Sequence, residues 1–139
     1  MSTETTQFEL VSPEKLLYSA PVEMVVVPGG EGDFGVLPRH SPMISTVRPG
    51  VIDVYQDGKV SERIFVAGGF AEVSETRVTV LADEAVPHAE LDAEAIGERV
   101  KDAEMRLKVA AEGSVDHLAA VRALLVANAM QDALSTKHR

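Results

Sequence analysis

Three stretches of this sequence hold residue types that could carry chemistry. The first, Gly30-Glu31-Gly32-Asp33-Phe34-Gly35, fits G-x-G-x-x-G. That pattern can wrap backbone amides around a phosphate when a strand precedes it and a helix follows. Here Val36-Leu37-Pro38 follows and starts no helix, and Glu31 and Asp33 would set negative charge beside the anion. The stretch reads instead as a turn between strands. The second is His40, in Leu37-Pro38-Arg39-His40-Ser41-Pro42. An imidazole there could ligate a metal or act as a general base. A catalytic metal typically draws about three protein ligands, yet His88, His117 and His138 lie far down the chain, and no ligand spacing joins any pair. A loop histidine that bonds to structure or touches a partner is the stronger reading. The third is the acidic pair Asp83-Glu84 at a strand end, whose side chains alternate in direction and read as solvated charge. There is no Gly-x-Ser-x-Gly elbow and no cysteine, so thiol chemistry, disulfides and Cys-ligated zinc are excluded. No constellation specifies an enzyme, and no metal site is expected. A small sandwich enzyme centred on His40 stays as an alternative.

The elements that would hold these residues fall into two halves. All seven Pro, all six aromatics and eight of the ten Gly lie at or before Pro87. Residues 88–139 hold twelve Ala and no Pro. Turn and strand formers thus give way to helix formers at one point, which predicts domains at 1–86 and 87–139. Apolar residues make up 45% of the 139, enough for a packed core. Acids outnumber bases 22 to 13, a net charge of -9. Such a surface repels phosphates, so no nucleic-acid partner is expected. The N-terminus shows neither a basic region nor an apolar run, and no stretch approaches the roughly 20 apolar residues of a spanning helix. A cytoplasmic chain without membrane insertion is the expectation.

The first half reads as short strands: 8–11, 22–27 stopped by Pro28-Gly29-Gly30, 43–47, 51–55, 60–66, 70–73 and 77–81. Asp57-Gly58 between two of them marks a type I′ hairpin. Strands at this spacing without intervening helices predict an antiparallel sandwich or barrel. The second half reads as two helices, about 91–111 and 115–134. Ile96, Val100, Ala103, Leu107 and Ala110 fall at helical spacing on the first. Asp102–Arg106 and Glu104–Lys108 are spaced as acid-to-base pairs. Gly113 suits a left-handed cap, and Ser114 can cap the second helix. That helix carries Leu118, Val121 and Leu125 on one side and Ala120, Ala123, Ala127, Met130 and Leu134 in a second row. Surplus apolar width keeps open a docking role for an antiparallel hairpin. Residues 135–139 read as a frayed tail. The fold class is therefore β+α: an N-terminal antiparallel β-sandwich followed by a C-terminal helical hairpin.

Four stretches stand in a telling order: Gly32-Asp33-Phe34-Gly35-Val36-Leu37-Pro38-Arg39-His40-Ser41-Pro42-Met43, Arg48-Pro49-Gly50-Val51-Ile52, Val66-Ala67-Gly68-Gly69-Phe70-Ala71-Glu72-Val73 and Val78-Thr79-Val80-Leu81-Ala82-Asp83-Glu84-Ala85. From about Phe8 to Leu134 the chain resembles the epsilon subunit of the bacterial F-type ATP synthase, the equivalent of the mitochondrial delta subunit. The resemblance implies a non-catalytic rotor part whose flattened ten-stranded sandwich binds the stalk subunit gamma and the polar loops of the c-ring, so that proton flow is coupled to ATP synthesis. It implies a peripheral place at the cytoplasmic face of the inner membrane. It sets Glu31 and Asp33 toward the c-loops and His40 beside the gamma contact. In some members the hairpin extends up the stalk, toward the alpha/beta catalytic head, and blocks ATP hydrolysis. Members that bind ATP on the hairpin carry Ile/Leu-Asp-x-x-Arg-Ala. Here Leu91 and Asp92 match, but Ala95 stands where the Arg belongs. The triphosphate clamp is missing, so no cofactor is expected and Asp92 is left as a weak ATP candidate. A nucleotide-sensing, inhibitory module using Asp92 with Arg99 and Arg122 is the alternative.

Overall fold

The computed structural model describes residues 4–135. The chain divides into two compact units, Met1–Ala89 and Glu90–Arg139.

The first unit is a ten-stranded sheet folded into a sandwich. Its strands are β1 (Thr6–Val11), β2 (Leu16–Val22), β3 (Met24–Gly29), β4 (Gly32–Val36), β5 (Met43–Val47), β6 (Gly50–Gln56), β7 (Lys59–Val66), β8 (Gly69–Val73), β9 (Arg77–Ala82) and β10 (Ala85–Pro87). The hydrogen-bonded order is β10-β7-β6-β3-β5-β8-β9-β1-β2, with β4 on β3. β3 meets β5 only through the pair Gly29 and Val47. Inward residues of both layers form one core, including Phe8, Leu10, Val25, Val27, Ile52, Val54, Val66, Val78 and Val80. The Phe8 and Tyr18 rings meet at 5.5 Å, tilted.

The strands expected from alternation are present, and Asp57 and Gly58 take positive φ in the turn joining β6 to β7. Three strands were not expected. The Leu16–Val22 strand has little apolar contrast and lies at the end of the sheet path. The Gly32–Val36 strand is glycine-rich and pairs as the return arm of a hairpin. The third, Ala85–Pro87, is only three residues long. Nor does Pro28 stop the strand: β3 runs through it to Gly29, Pro28 pairs with Asp33, and its carbonyl accepts from the Arg48 amide at 2.9 Å. One pairing departs from the antiparallel expectation. The first strand runs parallel to β9, Phe8 beside Val78, and the long stretch of chain between them leaves room for the crossover that a parallel pair needs. Gly69 closes the β8 end: its φ is +142°, and a Cβ there would sit 1.9 Å from the Leu81 carbonyl oxygen.

The second unit is a helical hairpin, α1 (Ala93–Val109) and α2 (Val115–Ser135). Asp92 caps α1 by accepting from the Ala95 amide at 3.3 Å. Ser114 caps α2 by accepting from the His117 amide at 3.1 Å. Gly113 does take a left-handed φ of 80°, but the C-cap of α1 is Ala110, in an extended conformation, so Gly113 belongs to the connection. The pairs Asp102–Arg106 and Glu104–Lys108 do not close to ion-pair distance among the described residues, and all four side chains are exposed. Water solvates such groups about as well as a partner does. The buried row of α2 is Ala120, Val126, Ala127, Met130 and Ala133, while Leu134 faces outward. Leu118, Val121 and Leu125 are exposed on it, as are Met105 and Val109 on α1. Of the expected tail, residues 136–139 lie outside the described residues, and with them His138. Among the described residues no helix is long and apolar enough to cross a membrane.

Candidate functional site

The acidic turn is the tip of the β3–β4 hairpin. Gly29 pairs with Gly32 and Pro28 with Asp33, which leaves Gly30-Glu31 as the reversal. The base of the tip is tied to β5: the Gly30 amide donates to the Thr46 carbonyl at 3.0 Å. A Cβ on Gly30 would meet the Thr46 hydroxyl at 2.3 Å, so any side chain here would force Thr46 to turn away. Asp33 does not stand free. Its Oδ1 accepts from the Arg48 Nη2 at 2.6 Å. The other prong, Arg48 Nη1, donates to the Gly29 carbonyl at 2.6 Å. Glu31 is exposed and has no hydrogen bond or ion pair among the described residues. Beside the tip lies a shallow depression of about 400 Å³ bounded by Phe34, Met43, Ile44 and Thr46. The structure thus separates two acids that the sequence treated alike.

His40 is half-buried in the loop between β4 and β5, and its Nδ1 lies 2.8 Å from the Ser41 carbonyl oxygen. Its amide donates to the Leu37 carbonyl at 3.2 Å. Next to it, Arg39 takes φ 66°, donates its amide to the Glu75 carbonyl at 2.8 Å and pairs with Glu4. The Glu4 carboxylate raises the already high Arg39 pKa, so that side chain is a fixed cation. His40 is therefore held as a loop histidine. Among the described residues no three His, Asp or Glu side chains gather as a metal set.

Sequence reasoning missed the broadest feature of this unit. On the outer face of one layer, register aligns Thr46 of β5, Phe70 of β8, Leu81 of β9, Val11 of β1 and Leu16 of β2 in one row. Phe70, Leu81 and Leu16 are 57%, 53% and 56% exposed. Ile44, in the adjoining row with Glu72, Thr79 and Glu9, is 74% exposed. A soluble sheet face normally alternates to polar at such positions, and a contiguous apolar band marks a docking surface. The available signal was the outward position of each strand, occupied by Ile44, Phe70 and Leu81 where a polar residue is usual.

In the hairpin, Asp92 is an N-cap, which employs its carboxylate in the helix start. Arg99 and Arg122 are both exposed, one on each helix. Ala95 is exposed in the first turn and offers no donor beyond its backbone.

Residues 5–88 match the family model for the β-sandwich domain of the ATP synthase delta/epsilon chain. The ATP synthase epsilon chain of Paramagnetospirillum magneticum is 58% identical over 132 residues, 95% of this chain and 98% of that protein. The chain belongs to the ATP synthase epsilon-chain family. The epsilon chain of Rhodospirillum rubrum is 67% identical over 107 residues, 77% of this chain and 80% of that one. Among solved structures, a chain of the Euglena gracilis mitochondrial ATP synthase, in a complex of OSCP, F1 and c-ring, superposes with a TM-score of 0.79 at 25% identity, over 96% of this chain and 84% of that one. The family accounts for the N-terminal sandwich. The acidic hairpin tip, the His40 loop and the apolar outer row all fall within the matched segment.

Proposed function

We propose that this chain is a non-catalytic central-stalk subunit that joins gamma to the c-ring and so couples proton flow to ATP synthesis. The observation that carries the proposal is the apolar outer row of the sandwich, Leu16–Val11–Leu81–Phe70 with Ile44 beside it. A rotor must move as one body, and a rigid sheet presenting an apolar band gives a partner a non-swivelling seat. Gamma is the partner assigned to that band, with His40 and its loop at the margin. The hairpin tip, with Glu31 outermost, is assigned to the polar loops of the ring. Charge there sets register and steers approach more than it supplies affinity. The first unit, Met1–Ala89, is taken as the rotor-binding domain and the second, Glu90–Arg139, as the helical domain, three residues beyond the boundary read from composition. Such a subunit sits peripherally at the cytoplasmic face of the bacterial inner membrane, with no inserted segment of its own.

The helical unit supports a second, regulatory role. Met105, Val109, Leu118 and Leu125 are exposed apolar side chains on it, a surface fit for contact with the alpha/beta catalytic head. A nucleotide-sensing mode is disfavoured, because Asp92 is engaged as a cap and Ala95 supplies no guanidinium.

The test is a pull-down of the tagged chain from detergent-solubilised membranes. Co-purification of gamma and ring subunits is expected. Recovery of the chain alone, or with proteins unrelated to the motor, overturns the assignment.

A further inference from the structure

We propose that Arg48 is the positioning residue of the ring contact: its guanidinium bridges the Gly29 carbonyl and the Asp33 carboxylate, fixing the β3–β4 tip and leaving Glu31 as the one acid there that meets the partner. The inference rests on the reading that this tip faces the ring.

The geometry is specific to arginine. One prong reaches Gly29 O and the other Asp33 Oδ1, both at 2.6 Å. These acceptors flank the reversal, one on each arm of the hairpin. A planar fork can hold both at once, whereas a lysine ammonium on a flexible stem cannot match that spacing. The Arg48 backbone is anchored too, its amide donating to Pro28 O at 2.9 Å, one residue before the carbonyl its side chain grips. With the Gly30 amide on Thr46 O, the tip is fastened to β5 and the residue after it from two directions. What lies beyond these fastenings is Glu31.

The electrostatic consequence follows. Arg48 offsets the charge of Asp33 at 2.6 Å, so the tip presents about one net negative charge rather than two. The order of the tip matters for binding, since a loop frozen beforehand loses less freedom when it docks. Arg48 is therefore assigned to act through Asp33 and Gly29.

The experiment uses the full chain with Arg48→Gln, Arg48→Lys, Asp33→Asn and Glu31→Gln. Each is measured for amide exchange across residues 29–36 in the purified chain, for thermal unfolding, and for ATP-driven proton pumping after reconstitution into the motor. Arg48→Gln is expected to speed exchange at the tip about three- to tenfold, the size for losing a charged hydrogen bond and a surface ion pair, with unfolding nearly unchanged. Asp33→Asn is expected to follow it, and Arg48→Lys to lie between Arg48→Gln and the unaltered chain. Glu31→Gln is expected to leave exchange unchanged, and both it and Arg48→Gln to lower pumping. Unchanged tip exchange in Arg48→Gln overturns the clamp whatever the ring does. Faster exchange with normal pumping in Arg48→Gln, while Glu31→Gln pumps poorly, overturns the positioning role and spares the ring reading. Normal pumping in both overturns the ring reading itself.

Discussion

If gamma docks on the outer apolar row, Phe70→Ala is the perturbation that costs the most binding and the least stability. Phe70 is 57% exposed. On a ring that size this leaves roughly 110 Å² for a partner to cover, most of it lost on truncation to alanine. About 80 Å² at about 25 cal/mol per Å² is about 2 kcal/mol, or roughly 30-fold in dissociation constant. A central aromatic flanked by Leu81 and Thr46 is also the type and placement of residue that tends to dominate an interface. Because the side chain is already half in water, unfolding should shift by no more than about 0.5 kcal/mol. The assay is calorimetric titration of purified gamma with the chain, alongside Lys59→Ala, exposed at the start of β7, as a control. The control should bind normally. Phe70→Ala and the control binding gamma within twofold of each other would refute the reasoning and move the gamma seat elsewhere.

Other outcomes follow from the same geometry. The fragment ending at Ala89, which retains β10, should unfold cooperatively by itself and support proton-driven ATP synthesis in place of the full chain; a fragment without cooperative unfolding would contradict this. Titrating the chain with magnesium and ATP by calorimetry should show no binding at cellular ATP levels, and Asp92→Ala should lower hairpin stability by about 1 kcal/mol through the lost cap while leaving nucleotide behaviour unchanged. Gly69→Ala should destabilise the sandwich by about 3 kcal/mol in denaturant unfolding, since both φ and the Leu81 carbonyl oppose a Cβ. Burial first, and the Glu62 charge second, raise the Tyr18 pKa above its ordinary 10.0. A raised acid favours the folded state while protonated, so that contribution is intact below the ordinary value and fades as pH climbs through the raised one. Absorbance titration should resolve this late phenol step and lose it in Tyr18→Phe.

What could be read from the sequence was set by local physics. Strands that alternate, such as 77–81, announce themselves, and so does the Asp57-Gly58 turn, because both signals lie within a few residues. Helix spans follow from period and, for α2, from Ser114 at its cap, whereas Asp92, read only as a weak ATP candidate, proves to be the cap of α1. The β4 strand was hidden because Gly32, Asp33 and Gly35 are turn formers by composition, and only pairing with β3 straightens them. The apolar row was hidden for a different reason. Ile44, Phe70, Leu81 and Leu16 are single outward residues on separate strands, and register alone lines them up. The division of labour between Glu31 and Asp33 depends on Arg48, which reaches the tip only because β5 pairs with the end of β3. No spacing rule encodes such a contact.

The central claim is that this chain couples the rotor without catalysing anything. It is tested most directly by proton-driven ATP synthesis in membrane vesicles depleted of the chain, measured before and after the purified chain is added back. The account predicts that synthesis collapses on depletion and returns with the added chain, while Phe70→Ala restores it poorly at limiting concentration. Synthesis that proceeds undiminished in the depleted vesicles would contradict the claim.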